Sequence, residues 1–178
     1  MQKIVITLPD FVADEAARIV RMLDSGTQWV HVRKPGKPVE EVARLISEIP
    51  EDYHPRLTLH DDFQLLERFP RIGGVHLNSR NPSCSNVGSR RQSRSCHSLE
   101  EVKACKAQYD YVFLSPIFDS ISKVGYHAAF TDEQLTAAAE EGIIDEKVYA
   151  LGGVTEEKLD LLKHYHFGGY AMLGAAWK

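Results

Sequence analysis

Chemistry on small anions needs cations, hydroxyls and bare backbone N–H groups close together, and this chain carries all three in short clusters. Ala150-Leu-Gly-Gly-Val-Thr155 places Gly152 and Gly153 just ahead of a helical start near Thr155. Backbone N–H groups there can point at an anion where a helix dipole also favours negative charge, although paired glycines equally suit a tight strand-to-helix turn. Gly174 offers a second close backbone approach. In Ser115 to Gly125, Ser120, Ser122 and Lys123 suit a phosphate or diphosphate as hydroxyl donors beside a mobile point charge; the alternative is an ordinary solvated loop.

His60-Asp61-Asp62 sets two carboxylates side by side, where a hard cation such as magnesium could bind through one or both and through substrate oxygens. Neighbouring strand residues point opposite ways, so one of the two faces a ligand. The alternative is that the aspartates cap a helix starting near Phe63, Asp62 more readily than Asp61. His31 and Arg33 alternate onto one face, and an inward arginine needs an anion, either a buried carboxylate or a substrate phosphate. Ser95 with His97 forms another polar pair. His76, in the middle of an apolar run, reads as a core histidine, and His164 with His166 as a solvated helix end. Arg90, Arg91 and Arg94 lie among serines without interleaved aromatic residues and read as a flexible loop rather than a nucleic-acid tract.

Positioning these groups requires a scaffold, and the chain alternates β-rich apolar runs with helical patterns almost from end to end, as βαβ units around a parallel sheet do. Eight strands are expected: Lys3 to Leu8, Trp29 to Arg33, Arg56 to His60, Gly74 to Leu77, Ser93 to His97, Tyr109 to Ser115, Val148 to Gly152 and Gly169 to Leu173. Ala13 to Leu23 and Val39 to Ile49 carry apolar residues on one helical face. Ser98 with Glu101, and Thr131 with Gln134, have capping-box spacing. Asn78 to Gln92 has no periodicity and reads as a loop or a poorly formed helix. Eight units favour a single (β/α)8 TIM barrel over residues 1–178, lacking a full eighth helix, because only Ala175 to Lys178 follow the last strand. In such barrels functional groups sit at the C-terminal ends of the strands, where the clusters above fall. An uncovered last strand would expose apolar surface, from which a homodimer is expected.

Composition narrows the partners. With 21 basic and 25 acidic residues in 178, a net charge of -4 gives no reason to expect nucleic acid or an anionic membrane. No run of about 18 apolar residues exists, and Met1 to Pro9 lacks signal-peptide features, so a cytoplasmic protein acting on small molecules is expected. Three cysteines at spacings that match no zinc pattern read as free thiols.

Taken together, Val30-His-Val-Arg-Lys34, Gly74-Val-His-Leu77, Ser95-Cys-His-Ser-Leu-Glu-Glu101, Asp110-Tyr-Val-Phe-Leu-Ser-Pro-Ile-Phe118 with Ser120-Ile-Ser-Lys123, and Ala150-Leu-Gly-Gly-Val154 resemble thiamine phosphate synthase and its TenI-like relatives. The match is in order and spans nearly the whole chain. The resemblance implies a barrel that couples hydroxymethylpyrimidine diphosphate to a thiazole phosphate and releases diphosphate with the help of magnesium. By position, it implies that Arg33, His60, Ser95 and Lys123 hold the diphosphate, with Arg33, Lys123 and Ser95 as the catalytic candidates. It implies Asp61 as the metal ligand, and Ser120, Ser122, Gly152, Gly153 and Gly174 around the thiazole phosphate. His31, beside Arg33, joins the phosphate-binding set. The chain departs from the synthases in three places: Asn81 stands where a second metal-binding acid is expected, His60 replaces an asparagine, and Pro35 replaces a lysine for which Lys34 or Lys37 could substitute. In the TenI-like branch some members isomerise a thiazole carboxylate phosphate. The histidine used there is Pro116 in this chain, leaving His97, His60 or His31 as the acid-base. A non-catalytic sensor of thiazole phosphate is the third alternative.

Overall fold

A computed structural model describes residues 1–119 and 128–178. Eight parallel strands, hydrogen-bonded in sequence order, close into a barrel. They are β1 (Gln2–Ile6), β2 (Trp29–Val32), β3 (Leu57–Leu59), β4 (Gly74–Leu77), β5 (Arg91–Cys96), β6 (Tyr111–Leu114), β7 (Val148–Leu151) and β8 (Gly169–Met172). Each lies within two residues of its expected bounds. Six α-helices are described: α1 (Glu15–Asp24), α2 (Val39–Glu48), α3 (Leu65–Arg68), α4 (Leu99–Cys105), α5 (Asp132–Glu140) and α6 (Leu159–His164).

The chain divides into two compact units, Ile4–Gln92 and Ser93–Lys178 with Met1–Lys3. In the first, α1 buries Ala16, Ile19 and Leu23, and α2 buries Val42, Leu45 and Ile46, the three-and-four spacing that lays one stripe against the sheet. α1 starts at Glu15 because Asp14 takes a left-handed conformation at φ 54°. In the second unit, residues of β5 to β8 pack with Val102, Leu135, Ala138 and Leu162 of the helices into one apolar cluster.

Helix starts follow the sequence with one change. Thr131 and Gln134 form the reciprocal capping box. The Ser98 hydroxyl accepts from the Glu101 N–H at 3.1 Å, but the Glu101 carboxylate reaches past Ser98 and accepts from the His97 N–H at 2.7 Å. No helix forms over 78–90. Instead the Asn78 side-chain oxygen accepts from the N–H groups of Arg80 at 2.9 Å and Asn81 at 3.1 Å, a local turn that competes with helix.

The arginines expected in a flexible loop are held. Arg91 opens β5, two residues earlier than expected, with its guanidinium 4.5 Å from the Trp29 ring centre. Arg90 donates to the carbonyls of Ile72 and Pro70, both at 2.9 Å. Arg94 lies within β5.

After β8 the described chain makes one 3-10 turn, Gly174–Trp177. All four residues of β8 are buried, and Ala175 and Ala176 pack against the cluster that holds Tyr170 and Met172. The bare strand surface that motivated a homodimer is therefore covered within the chain.

Candidate functional site

Within Ile4–Gln92 the strand ends bring together a cationic pair and one carboxylate. Thr7, fully buried just past β1, fixes the backbone of Arg33: its hydroxyl accepts from the Arg33 N–H at 2.9 Å and donates to the Arg33 carbonyl at 3.1 Å. The Arg33 guanidinium is held below the usual arginine range by burial and by the charge of Arg80, while Asp61 opposes the shift. Arg80 was not singled out in the sequence; it sits in the turn that Asn78 builds after β4, and only folding places its charge near Arg33.

Asp61 follows β3. One of its oxygens accepts from the side-chain amide of Asn81. The other, Oδ2, is buried without a hydrogen-bond partner among the described residues. An anionic oxygen left in this state is costly unless a cation or donor meets it. Asn81 is thus turned as a donor toward Asp61 where an acid would repel it. A hard cation could be held at this point by Asp61 Oδ2 with substrate oxygens and water, the one-carboxylate mode common for magnesium. Asp62 does not cap the next helix with its side chain, since α3 has no side-chain cap; its backbone carbonyl accepts from Leu65 at 2.9 Å. Its carboxyl is raised above the ordinary range by burial and by Asp61.

Lys34 is not available to replace the missing lysine. Its ammonium forms a buried ion pair with Glu15, at 2.7 and 2.9 Å, and donates to the carbonyls of Leu8 at 2.8 Å and Asp10 at 2.9 Å. Lys37 pairs with Asp10 instead.

His31, His60 and His76 converge inside the barrel. They are 0%, 5% and 1% exposed, and His31 Nδ1 lies 2.7 Å from His60 Nε2. The His60 and His76 rings stack at 4.2 Å. Burial, reinforced by neighbouring positive charge, holds all three below the ordinary histidine range, His76 at about 3. They are neutral at physiological pH. His31 and His60, assigned from the sequence to phosphate binding, are thus joined to each other and to a histidine read as core.

Within Ser93–Lys178, Ser95 alternates along β5 with Cys96, which is buried in the apolar cluster. His97 is exposed, and its Nδ1 lies 3.2 Å from the Ser115 carbonyl and 3.3 Å from the Ser115 hydroxyl. Gly152 and Gly153 take φ 99° and 61°, and a Cβ on Gly153 would stand 2.2 Å from the Asp119 carbonyl oxygen. Only glycine allows this approach. The helix expected near Thr155 is a 3-10 turn, Glu156–Lys158, leading into α6. The Thr155 hydroxyl is buried without a partner among the described residues, a donor that sequence reasoning passed over. Gly174 opens the last turn. Ser120, Ser122 and Lys123 lie outside the described residues.

A parallel eight-stranded barrel with polar groups at its strand ends defines the (β/α)8 barrel class, whose sites lie at that face, and comparison narrows the class. The family model described as thiamine monophosphate synthase matches residues 4–176, and the chain belongs to this TMP-TENI family. A thiamine phosphate pyrophosphorylase from Bacteroides thetaiotaomicron is 43% identical with a TM-score of 0.88, over 99% of this chain and 85% of that one. A thiamine phosphate pyrophosphorylase from Pyrococcus furiosus is 19% identical with a TM-score of 0.75, over 98% of this chain and 86% of that one, a likeness of fold. Curated proteins include no significant match. No helix among the described residues is long and apolar enough to cross a membrane.

Proposed function

We propose that the chain is a thiamine phosphate synthase, which joins hydroxymethylpyrimidine diphosphate to thiazole phosphate and expels diphosphate in the cytoplasm. The observation that carries the reading is the buried, partnerless oxygen of Asp61 in the field of Arg33. A departing diphosphate gains negative charge on its bridging oxygen, and fixed cations lower the barrier in proportion to how well they meet that charge. Arg33 supplies a fork of N–H donors, Lys123 a point charge and Ser95 a hydroxyl. Gly152, Gly153 and Gly174, with Ser120 and Ser122, hold the thiazole phosphate. Magnesium, when bound at Asp61, adds electrostatic stabilisation of the same oxygens. The 43% identical relative is described as an enzyme of this activity.

The test is an assay with both substrates and magnesium on wild type, Asp61→Asn and Lys123→Ala. Thiamine phosphate formed by wild type and lost in both variants supports coupling. Absence of product, with thiazole phosphate still raising the melting temperature, refutes it. The His97–Ser115 contact favours a second reading, TenI-like isomerisation of the thiazole carboxylate phosphate with His97 as acid-base. That activity would need no magnesium and would be lost in His97→Gln.

A further inference from the structure

The roles given to His31 and His60 in phosphate binding do not account for their convergence with His76. They come from three consecutive strands: β2 pairs with β3 through His31↔Thr58, and β3 with β4 through Leu59↔Val75. That register, continued by one residue, sets His60 beside His76. One nitrogen from each ring lies within 4.8 Å of the other two. Ring centres are 4.9 Å apart for His31 and His60, and 5.4 Å for His31 and His76.

We propose that His31, His60 and His76 form a three-imidazole site for a borderline divalent cation of the zinc class, separate from the oxygen site at Asp61. Imidazole nitrogen is a poor ligand for magnesium and a good one for zinc, cobalt, nickel or ferrous iron. Bonds of about 2.0–2.1 Å in a tetrahedral arrangement put ligand nitrogens roughly 3.3 Å apart. The 2.7 Å His31–His60 contact would open and the widest separation would close, and the stacked His60 and His76 rings would turn out of parallel so that their in-plane lone pairs meet at one ion. The ring that donates the proton in that contact carries it to its other nitrogen on binding, so both stay neutral. Arg33, Arg80 and Arg91 add positive charge around His31 and His60. A bound dication therefore takes an anionic oxygen as fourth ligand, hydroxide or a phosphate oxygen, in the position that three-ligand zinc sites leave open.

The experiment uses the full chain, purified without a histidine tag and stripped with chelator. Cobalt is titrated and its visible absorption followed, and zinc stoichiometry is measured by equilibrium dialysis. One cobalt per chain with a four-coordinate spectrum is expected. Cobalt affinity should fall in His31→Gln, His60→Gln and His76→Gln, each by more than the roughly 10–100-fold that loss of a supporting contact produces. Zinc-edge X-ray absorption on the wild type, which needs no variant to fold, should show three imidazole nitrogens and one oxygen. A sulfur-containing or all-oxygen shell, unchanged affinity in folded variants, or no stoichiometric binding overturns the site. None of these outcomes depends on whether the chain couples its substrates with magnesium.

Discussion

Replacing Glu15 with glutamine should destabilise the chain by about 3–5 kcal/mol, the cost of leaving one member of a buried ion pair without its counter-charge. The side chains of Lys34 and Glu15 are 1% and 3% exposed, so water cannot compensate the loss. The Lys34 ammonium is already held below its ordinary range by burial, with Glu15 opposing that shift. For a chain of this size about 1 kcal/mol moves the melting temperature by roughly 2–4 °C, so a fall of about 6–20 °C is expected. The structure also fixes what the double variant Glu15→Gln, Lys34→Met does. Apolar replacement of a buried pair is often neutral. Here Lys34 also serves the part-buried carbonyls of Leu8 and Asp10, and a methionine forfeits both bonds at about 1 kcal/mol each. The double variant should therefore remain clearly less stable than wild type. Urea unfolding followed by circular dichroism measures all three proteins; a Glu15→Gln variant within about 1 kcal/mol of wild type, or a double variant that restores full stability, would refute the reasoning.

Other outcomes follow from single contacts. His76 has a folded pKa of about 3 against about 6.5 in the unfolded chain, so below pH 6.5 the unfolded state binds the proton first. Stability should fall by about 1.4 kcal/mol per pH unit from this residue, roughly 2 kcal/mol by pH 5; urea midpoints of metal-free wild type and a folded His76→Gln should differ in pH slope, and equal slopes would count against a neutral buried imidazole. Gly153→Ala meets the Asp119 carbonyl and a φ of 61°, and should destabilise by more than about 1 kcal/mol, read as a lower melting temperature. Arg80→Ala should weaken binding of inorganic diphosphate while leaving thermal stability near wild type, as calorimetry and a melting curve would show. Thr131→Ala removes a complete capping box and should cost about 1 kcal/mol in urea unfolding.

Strand number, barrel class and the positions of most helices were legible because they rest on local patterning. Period-two or continuous apolar runs bounded by turn residues, and capping side chains three residues from their partners, act over short stretches of chain. Asp61 and Arg33 could be marked for the same reason, as charged residues at predicted strand ends, and Gly152-Gly153 as a place where only bare backbone fits. What the sequence left undecided involves partners far along the chain. Lys34 reads from the sequence as a substitute for the lysine replaced by Pro35, and only the approach of Glu15, on α1, takes it out of that role. His31, His60 and His76 read as two ligands and one core residue, because nothing local states that β2, β3 and β4 align them in a single layer. Arg80 and Asn81 depend on a turn built by one side chain, Asn78, which has no periodic signature. Local propensity and hydrophobic period therefore determined which elements exist. Strand register and barrel closure decided which charges and imidazoles share a low-dielectric interior, where a neighbour a few ångströms away changes both protonation and role.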